Sequence, residues 1–399
     1  MSEFRPHPEA GSAASRRLHI LIVGGGVAGL TLAALLRQQG LEPMIVERSD
    51  EEGEASGYML GLYYLGARVL HGLGLFEAYA DLSVPMRRYE IRNGRGHLVH
   101  GYDLEEMARR VGPLRGISRT SLIRLLEEAL GDLTVRRGIT VEMLRQDAGG
   151  VVVQLSDGTQ HTFDAVVGAD GLHSSTRSSI LAAGEYDYWD TDWAGWVSWV
   201  DPSLAPADTY VECWGAGRFV GLYPAKERLG VFLGGPATML EGGRSIDFAA
   251  RVSADLDDAE AGAVAGALES LQPSGDEFFW KLHDCRCKRW RNGRVALLGD
   301  AATGFLPTAG IGASMAMEGA AVLADELSRC DARWVEHSLD LYEERHRSRA
   351  ESAQQSSRDL GRLMFVESSP LAWGRDQLVK HYSLERLVQS IATMMDEPI

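Results

Sequence analysis

The sequence has few cysteines, no surplus of basic charge and no long uninterrupted apolar run. Its 399 residues include four cysteines, too few for a disulfide framework and typical of a reducing compartment such as the cytoplasm. Acidic residues outnumber basic ones by 56 to 40, and the formal net charge of -16 opposes binding to nucleic acid or to an anionic membrane surface. No segment offers about 20 consecutive apolar residues, so we expect no membrane span and no stable membrane association.

The cysteines also lack a metal-binding pattern. Cys285 and Cys287 make a C-x-C pair, but no second pair of ligands follows at the spacing of a zinc site. The sequence therefore predicts no metal. His173 and His283 are candidate bases, although an isolated histidine is more often structural.

The first positive signal is a strand, a glycine loop and a helix near the start of the chain. An apolar run ends in the motif GGGVAG, helical spacing follows, and a second strand ends at Glu47. Gly24 permits the tight turn, Gly26 lets the backbone approach a pyrophosphate, and Gly29 lets the helix pack on the strand. Glu47 can accept a hydrogen bond from a ribose hydroxyl. The pattern predicts a dinucleotide site; the alternative is a glycine turn that serves packing only.

Two later apolar strands end in further polar loops. Asp170 lies in GADGLHSSTR and could also be an ordinary helix cap. Asp300 lies in RVALLGDAATGFLPTAGIGAS, where a strand-end carboxylate can bind the ribityl hydroxyls of a flavin. The amides of Gly312 and Ala313, at the start of the next helix, can stabilise negative charge on a reduced flavin ring. The alternative for Asp300 is again a capping role beside turn glycines.

These elements predict an α/β fold in which a Rossmann-like FAD-binding domain is assembled from discontinuous segments. An antiparallel-sheet substrate domain is inserted, and helices follow at the C-terminal end. Helical spacing predicts helices over 61–79, 118–130 and 247–271 and from Gly312 onward. The predicted boundaries are a flexible tail at 1–17, the FAD-binding domain at 18–80, 101–185 and 276–350, the substrate domain at 81–100 and 186–275, and a helical segment at 351–399.

The order and spacing of the three loops resemble the single-component FAD-dependent aromatic hydroxylases related to para-hydroxybenzoate hydroxylase. The resemblance covers roughly residues 18–350 and includes Ser118-Arg119 at the start of a Leu-rich helix. The family often has Gln and Asn where this chain has Ile311 and Ser314, so side-chain contacts at those two positions differ from the family pattern. The cofactor-binding residues that the resemblance implies are Gly24, Gly26, Ala28, Gly29, Glu47, Arg48, Arg119, Asp170, Asp300, Gly310, Gly312 and Ala313.

The resemblance also implies a reaction. NADH or NADPH would reduce FAD by transient contact, O2 would add to the reduced flavin, and the flavin hydroperoxide would hydroxylate or epoxidise an aromatic or polyketide-like small molecule. Alternatives are a flavin-dependent reductase or dehydrogenase, a halogenase, and a non-catalytic flavin-binding protein. The resemblance leaves open whether the protein is a monomer or a homodimer.

An aromatic block between residues 193 and 223 is the predicted wall of the substrate pocket. Such an enzyme needs an apolar pocket more than an acid–base pair. The predicted pocket residues are Trp196, Trp199, Tyr223 and, beside the flavin, Pro307. Aromatic residues at strand spacing are more often core, so a core role is the alternative for the first three.

Overall fold

The computed structural model describes residues 17–50, 58–147, 149–257, 260–272 and 277–381. Nearly all of the predicted tail 1–17, and the last part of the predicted helical segment 351–399, lie outside the described residues. Both therefore stay predictions.

The described residues form twenty strands, which share two main sheets and two small ones. In chain order the strands are β1 (Ile20–Val23), β2 (Met44–Val46), β3 (Met59–Leu62), β4 (Val84–Pro85), β5 (Arg88–Asn93), β6 (Leu98–Asp103), β7 (Arg115–Ser118), β8 (Val135–Arg136), β9 (Val141–Asp147), β10 (Gly150–Leu155), β11 (Gln160–Phe163), β12 (Ala165–Gly168), β13 (Tyr186–Val200), β14 (Thr209–Gly215), β15 (Arg218–Pro224), β16 (Leu229–Pro236), β17 (Phe278–Cys287), β18 (Arg291–Asn292), β19 (Val295–Leu297) and β20 (Thr303–Gly304).

The described residues also form twelve α-helices, together with single 3-10 turns at Pro202–Leu204, Gly299–Ala301 and Pro307–Ala309. The helices are α1 (Val27–Gln38), α2 (Tyr64–Gly72), α3 (Phe76–Leu82), α4 (Glu105–Val111), α5 (Arg119–Glu128), α6 (Ser175–Ile180), α7 (Ala237–Leu240), α8 (Ser245–Ser253), α9 (Gly262–Glu269), α10 (Gly312–Ser328), α11 (Val335–Met364) and α12 (Ser369–His381).

Local sequence signals explain where several of these elements begin and end. Gly40 follows α1 with φ +79° and lets the chain leave the helix in a left-handed conformation. Ser118 caps α5, because its Oγ accepts a hydrogen bond from the amide of Ser121 at 3.0 Å. Gly158, with φ +81°, forms the turn between β10 and β11. These signals are local, so the sequence alone indicates these particular helix and strand ends.

A six-stranded sheet carries the three predicted cofactor loops. Its strand order is β18-β19-β12-β1-β2-β8, and all neighbours are parallel except β18 and β19. All four residues of β1 are buried, as expected for a central parallel strand. Val23 pairs with Gly168, and Gly168 pairs with Leu297. The loops that follow these three strands therefore start side by side at one edge of the sheet.

An eight-stranded sheet forms the second layer. Its order is β20-β17-β13-β16-β15-β14-β5-β6, and all neighbours are antiparallel except β14 and β5. One face packs against α8 and α9 in a separate apolar cluster that includes Val211, Phe248 and Val264. The opposite face approaches the end of α11, where Trp193 stacks on Phe365 with ring centroids 4.8 Å apart. Two three-stranded sheets, β3-β7-β4 and β11-β10-β9, complete the sheets.

The predicted α/β fold, with a discontinuous Rossmann-like domain and an antiparallel sheet, is confirmed. The division into two domains stays a proposal, with one adjustment. We assigned the segment from 276 to 350 to the FAD-binding domain, but β17, at Phe278–Cys287, pairs along β13 in the eight-stranded sheet. In the proposed division this strand therefore belongs with the substrate domain.

Three of the predicted helices need correction. The predicted helix 61–79 starts within β3 and is then divided into α2 and α3, since Gly74 takes φ +76° between them. The predicted helix 247–271 is divided into α8 and α9. The predicted helix from Gly312 onward ends at Ser328, α11 begins only at Val335, and α12 is separated from α11 by residues 365–368. Apolar spacing continues across each break and hides it.

Candidate functional site

The glycine loop after β1 contains two tightly packed glycines and one open glycine. A Cβ at Gly24 would lie 2.3 Å from the carbonyl oxygen of Ala169, and one at Gly29 would lie 2.0 Å from the carbonyl oxygen of Gly24. A Cβ at Gly26 would meet nothing within 4 Å. Gly24 and Gly29 are therefore required by the packing of the chain itself, whereas Gly26 leaves room for a ligand to approach the backbone.

The start of α1 is also available to an anion. Gly26 is the N-cap of α1; no side chain caps the helix, and its first turn has no acidic residue. The amides of an uncapped N-terminus, together with the helix dipole, favour negative charge such as a phosphate. Ala28 is buried in the first turn, and its Cβ lies 2.9 Å from where a Cβ at Gly299 would stand. The first and third loops are thus in close contact.

Glu47 lies beside the glycine loop, as its position at the end of β2 predicts. Its Oε2 accepts a hydrogen bond from the amide of Gly25 at 2.6 Å, and its Oε1 accepts one from the amide of Ser49 at 2.9 Å. Arg48 follows as an exposed residue. The carboxylate of Glu47 is therefore fixed at the loop that a dinucleotide would contact.

Both carboxylate oxygens of Asp170 accept hydrogen bonds from residues of its own loop. Its two carboxylate oxygens accept hydrogen bonds from the hydroxyls of Ser174, Ser175 and Thr176 at 2.5–3.2 Å and from the amide of Thr176 at 2.9 Å. The N-cap of α6 is Ser174, whose Oγ accepts a hydrogen bond from the amide of Arg177 at 2.8 Å. Asp170 thus shapes the loop before α6, which is close to the capping alternative for this residue.

Arg177 joins the second loop to the third. Its guanidinium is buried and donates to the carbonyl oxygens of Ala301 at 3.1 Å and Leu172 at 2.6 Å. It also donates to the hydroxyl of Tyr188 and lies over the ring of Tyr186 at 4.9 Å. The loops around Asp170 and Asp300 are therefore held in one fixed arrangement. The sequence did not identify this residue as a structural bridge.

Asp300 has a solvent-accessible side chain without a protein partner among the described residues. The side chain is exposed, and it forms none of the hydrogen bonds or ion pairs found among the described residues. Protein atoms nevertheless surround it closely, and this desolvation raises the pKa of Asp300 to about 6, while Arg119 and Arg177 act in the opposite direction. An acceptor with no protein partner, near two cations, suits the hydroxyls of a ribityl chain.

The turn before α10 joins the cofactor loops to a cavity. Gly310 takes φ +62° after the 3-10 turn Pro307–Ala309, and Ile311 is the N-cap of α10 without a side-chain hydrogen bond. The amides of Gly312 and Ala313 therefore start an uncapped helix, as predicted. Ser314 accepts a hydrogen bond from the amide of Tyr63 at 3.0 Å and so fixes the strand that enters the cavity.

The cavity lies between this turn, the eight-stranded sheet and the end of α11, and its volume is about 180 Å³. Its wall is mainly aromatic and aliphatic. The residues that line it are Tyr58, Met59, Gly61, Tyr63, Tyr89, Leu104, Met107, Leu114, Val197, Tyr210, Glu212, Phe219, Tyr223, Phe232, Trp280, Leu282, Pro307, Thr308, Ala309, Gly310, Leu360, Met364 and Phe365. Two of the four predicted pocket residues, Tyr223 and Pro307, are among them.

The two predicted tryptophans lie elsewhere. Trp196 is buried on the other face of β13, against Phe248 and Phe279, because alternate residues of a strand point to opposite faces and Val197 faces the cavity. Trp199 shares the face of Val197 but lies outside the cavity, with its ring 6.0 Å from the guanidinium of Arg228. The structure therefore corrects both assignments, and the core alternative holds for Trp196.

Glu212 is a cavity residue that the sequence analysis missed. Its Oε2 accepts hydrogen bonds from the hydroxyl of Tyr89 at 2.6 Å and from the Nε1 of Trp214 at 2.9 Å, and its Oε1 accepts one from the hydroxyl of Tyr223 at 2.8 Å. Burial raises the pKa of Glu212, and the three hydrogen bonds oppose this shift. The available signal was an acid within the otherwise apolar strand TYVECWG.

The two candidate bases lie together but outside the cavity wall. The rings of His173 and His283 are 5.3 Å apart, and His283 also contacts Tyr188. Burial, followed by the charges of His283, Arg177 and Arg48, lowers the pKa of His173. Neither ring lines the cavity, so the structure gives no support for their acting as bases on a substrate there.

The described residues contain no cluster of His, Cys, Asp or Glu that could hold a metal. Within the same part of the chain, no helix is both long enough and apolar enough to span a bilayer.

The three loops together fit FAD. The open backbone at Gly26 and the uncapped start of α1 suit the pyrophosphate, and the unpartnered carboxylate of Asp300 suits the ribityl hydroxyls. The uncapped start of α10 lies next to the cavity, where a flavin ring would meet a substrate.

Comparison with known proteins agrees with this geometry. Residues 17–357 match the protein family described as FAD binding domain. The chain is 30% identical to 3-amino-4-hydroxybenzoate 2-monooxygenase of Streptomyces cremeus, over 92% of this chain and 92% of that protein. It is 29% identical to aurachin C monooxygenase/isomerase of Stigmatella aurantiaca, over 93% and 96% of the two chains. The solved structure of Klebsiella pneumoniae HpxO with FAD and uric acid superimposes with a TM-score of 0.84 at 25% identity, covering 96% and 97%.

Proposed function

This chain belongs to the FAD binding domain family, among the flavin-dependent monooxygenases, and on that premise we propose that it uses NAD(P)H and O2 to hydroxylate or epoxidise an aromatic or polyketide-like small molecule. The observation that carries the proposal is the aromatic cavity that begins at Pro307 and Gly310, directly beside the uncapped start of α10. Relatives named for aromatic substrates, such as the 3-amino-4-hydroxybenzoate 2-monooxygenase, support the same substrate class.

The adenosine end of FAD is held, in this proposal, by the first two loops. Gly26 and the first amides of α1 bind the pyrophosphate, and Gly24 and Gly29 keep that turn in shape. Glu47 accepts from the adenosine ribose, with Arg48 beside it. Asp170 contributes indirectly, since its carboxylate is used to hold its own loop.

The flavin end is held by the third loop. Asp300 accepts from the ribityl hydroxyls, and Arg119 lies near it, on the phosphates or the ribityl chain. The amides of Gly312 and Ala313 face the pyrimidine edge of the ring, where the dipole of α10 favours negative charge. These roles use backbone amides and one carboxylate, so they do not depend on the side chains at Ile311 and Ser314.

FAD, when bound, supplies electron transfer from NAD(P)H and the activation of O2. The protein supplies a dry, shaped cavity, because aromatic and aliphatic residues form most of its wall and exclude water from the reacting centre. The sequence contains one G-x-G-x-x-G motif, at 24–29, and no second one for a nicotinamide cofactor. We therefore expect NADH or NADPH to meet the protein transiently.

The alternative reactions have less support. For the halogenase alternative, Trp196 and Trp199 offer no support, since Trp196 is packed away from the cavity and Trp199 lies outside it. The relatives are named monooxygenases, which favours oxygen transfer over reduction of a double bond. A cytoplasmic location and a monomeric or homodimeric state remain part of the proposal.

The test is a substrate screen on the purified holoenzyme. Small aromatic compounds are added with NADH or NADPH, and pyridine nucleotide oxidation, O2 uptake and product mass are followed together. We expect at least one compound to stimulate both consumption rates and to gain one oxygen atom.

Two controls decide the meaning of that result. Catalase distinguishes wasted reduction of O2 to hydrogen peroxide from oxygen transfer. A product that gains two hydrogen atoms without O2 uptake would replace the proposal with a reductase. Stable FAD that NAD(P)H never reduces, with any compound, would favour a non-catalytic flavoprotein.

A further inference from the structure

In the part of the chain that the structure describes, the cavity wall contains one acidic side chain and no basic one. Among the described residues that line it there is no Lys, Arg or His, and the one carboxylate is that of Glu212. An anionic ligand would therefore enter a low-dielectric site that offers no side-chain cation and already contains an acid. Desolvation and like-charge repulsion both oppose such binding.

Glu212 faces the cavity because of the alternation of β14. Tyr210 and Glu212 line the cavity, whereas Val211 and Cys213 point into the separate apolar cluster beneath α8 and α9. Only 5% of the surface of Glu212 is exposed. The carboxylate is thus located in the middle of the sheet, where an apolar residue would ordinarily be found.

The partners of Glu212 show that it acts as an acceptor. The indole of Trp214 can only donate, and the hydroxyls of Tyr89 and Tyr223 have Glu212 as their acceptor. Burial, with the charge of Glu212 next, raises the pKa of both tyrosines, so they stay protonated and keep donating. No Lys or Arg of the described residues forms an ion pair with Glu212.

One acceptor position of this cluster remains open. Oε2 receives two hydrogen bonds, but Oε1 receives one, from Tyr223. A carboxylate oxygen can accept more than one hydrogen bond, and the hydroxyl of Tyr223 can also accept. Since Glu212 and Tyr223 both line the cavity, a ligand with an O–H or N–H group can donate to either.

We propose that the cavity selects a neutral aromatic molecule bearing an O–H or N–H donor, which Glu212 and Tyr223 receive, and that the same carboxylate rejects aromatic carboxylates. Glu212 is then a specificity-determining residue. This inference rests on the proposed function, because it assigns the cavity to the substrate.

The test uses three naphthalenes of similar shape, measured by equilibrium dialysis against the holoenzyme at neutral pH. They are 2-naphthol, a neutral donor; 2-methoxynaphthalene, neutral without a donor; and 2-naphthoate, an anion. We expect 2-naphthol to bind about tenfold or more tightly than the methoxy compound, as for a hydrogen bond to a charged group, and 2-naphthoate to bind most weakly. Equal affinities for the three compounds, or binding of none, would overturn the inference.

Glu212→Gln removes the charge and keeps the shape. We expect it to narrow the preference for 2-naphthol over 2-methoxynaphthalene to within about threefold and to strengthen 2-naphthoate binding by about tenfold. Tyr223→Phe retains the charge, so we expect it to weaken 2-naphthol binding while still rejecting 2-naphthoate. Unchanged affinity ratios in both variants would contradict the assignment, and because ratios are compared, a general loss of stability cannot imitate the expected result.

Glu90→Gln is the matched control. Glu90 lies on the neighbouring strand β5, pairs with Arg92 at 2.8 Å and does not line the cavity, so its removal should leave all three affinities unchanged. Dialysis tests this inference and the oxygenation screen tests the proposed function, so the two proposals can fail independently. The affinity pattern without any oxygenated product would sink the proposed function alone, and oxygenation without the affinity pattern would sink this inference alone.

Discussion

At the edge of the parallel sheet, the groups offered to a ligand are mainly backbone amides and glycine turns, whereas the cavity offers side chains from strands and helices far apart in the sequence. The residues of the first region come from short continuous motifs around Gly26, Asp170 and Asp300. The second brings Tyr63, at the start of α2, together with Glu212 from β14 and Phe365 from the end of α11. A site built from backbone can be recognised locally, and a site built from side chains requires the fold.

The largest effect on stability is expected where a side chain is placed on a closely packed glycine of the first region. Gly29→Ala should cost more than about 3 kcal/mol in the free energy of unfolding, because its Cβ would lie 2.0 Å from the backbone oxygen of Gly24. Denaturant unfolding of the apoprotein measures this cost. Its control is Gly26→Ala, where the Cβ meets nothing within 4 Å and the cost should stay within about 0.5 kcal/mol.

A larger side chain at Gly26 should affect FAD binding rather than stability. If the space at Gly26 is where FAD approaches, a larger Gly26→Val should leave the apoprotein folded and weaken FAD binding by about 100-fold or more. Fluorescence titration of the apoprotein with FAD gives the affinity. Unchanged affinity would remove the pyrophosphate from this loop.

A second prediction separates the two faces of the eight-stranded sheet. Trp196→Ala should destabilise the protein by about 3–5 kcal/mol, because it empties a buried site against Phe248 and Phe279. The relative affinities for the three naphthalenes should not change, since Trp196 does not line the cavity. If a folded Trp196→Ala variant showed altered affinity ratios for the three naphthalenes, Trp196 would have to contact the substrate site.

The smallest expected effect is a dependence on pH at Asp300. Its folded pKa of about 6 lies above its ordinary value of 3.8, so the folded apoprotein binds a proton that the unfolded chain has lost. The apoprotein should therefore lose stability as the pH rises from about 4 through 6. Asp300→Asn should abolish this loss, so that the variant has the higher melting temperature above pH 6 and no such advantage below pH 4.

The same variant should bind FAD more weakly, by about tenfold, because an amide accepts less strongly than a carboxylate from the ribityl hydroxyls. Fluorescence titration above pH 6 checks this. A variant that gains stability and keeps full FAD affinity would show that Asp300 is desolvated for another reason.

Particular residues show what could be predicted from the sequence and what could not. The loop around Gly24, the helix start at Ser118-Arg119 and the strand ending near Asp300 were predicted because their signals lie within a few residues of each other. Trp196 was misplaced because alternation gives two faces but does not say which of them meets the cavity. Glu212, Tyr63 and Phe365 went unnoticed because nothing in their neighbourhoods indicates that the fold brings them together.

The position of α11 has a consequence for biosynthesis. Leu360, Met364 and Phe365 complete the cavity wall, and they follow all three cofactor loops in the chain. Because a protein emerges from the ribosome beginning at its N-terminus, a nascent chain that has reached Ala313 already contains every proposed FAD contact but lacks the residues of α11 that complete the cavity wall. The FAD contacts can therefore be complete before the aromatic wall is, and the full cavity requires the chain through Phe365.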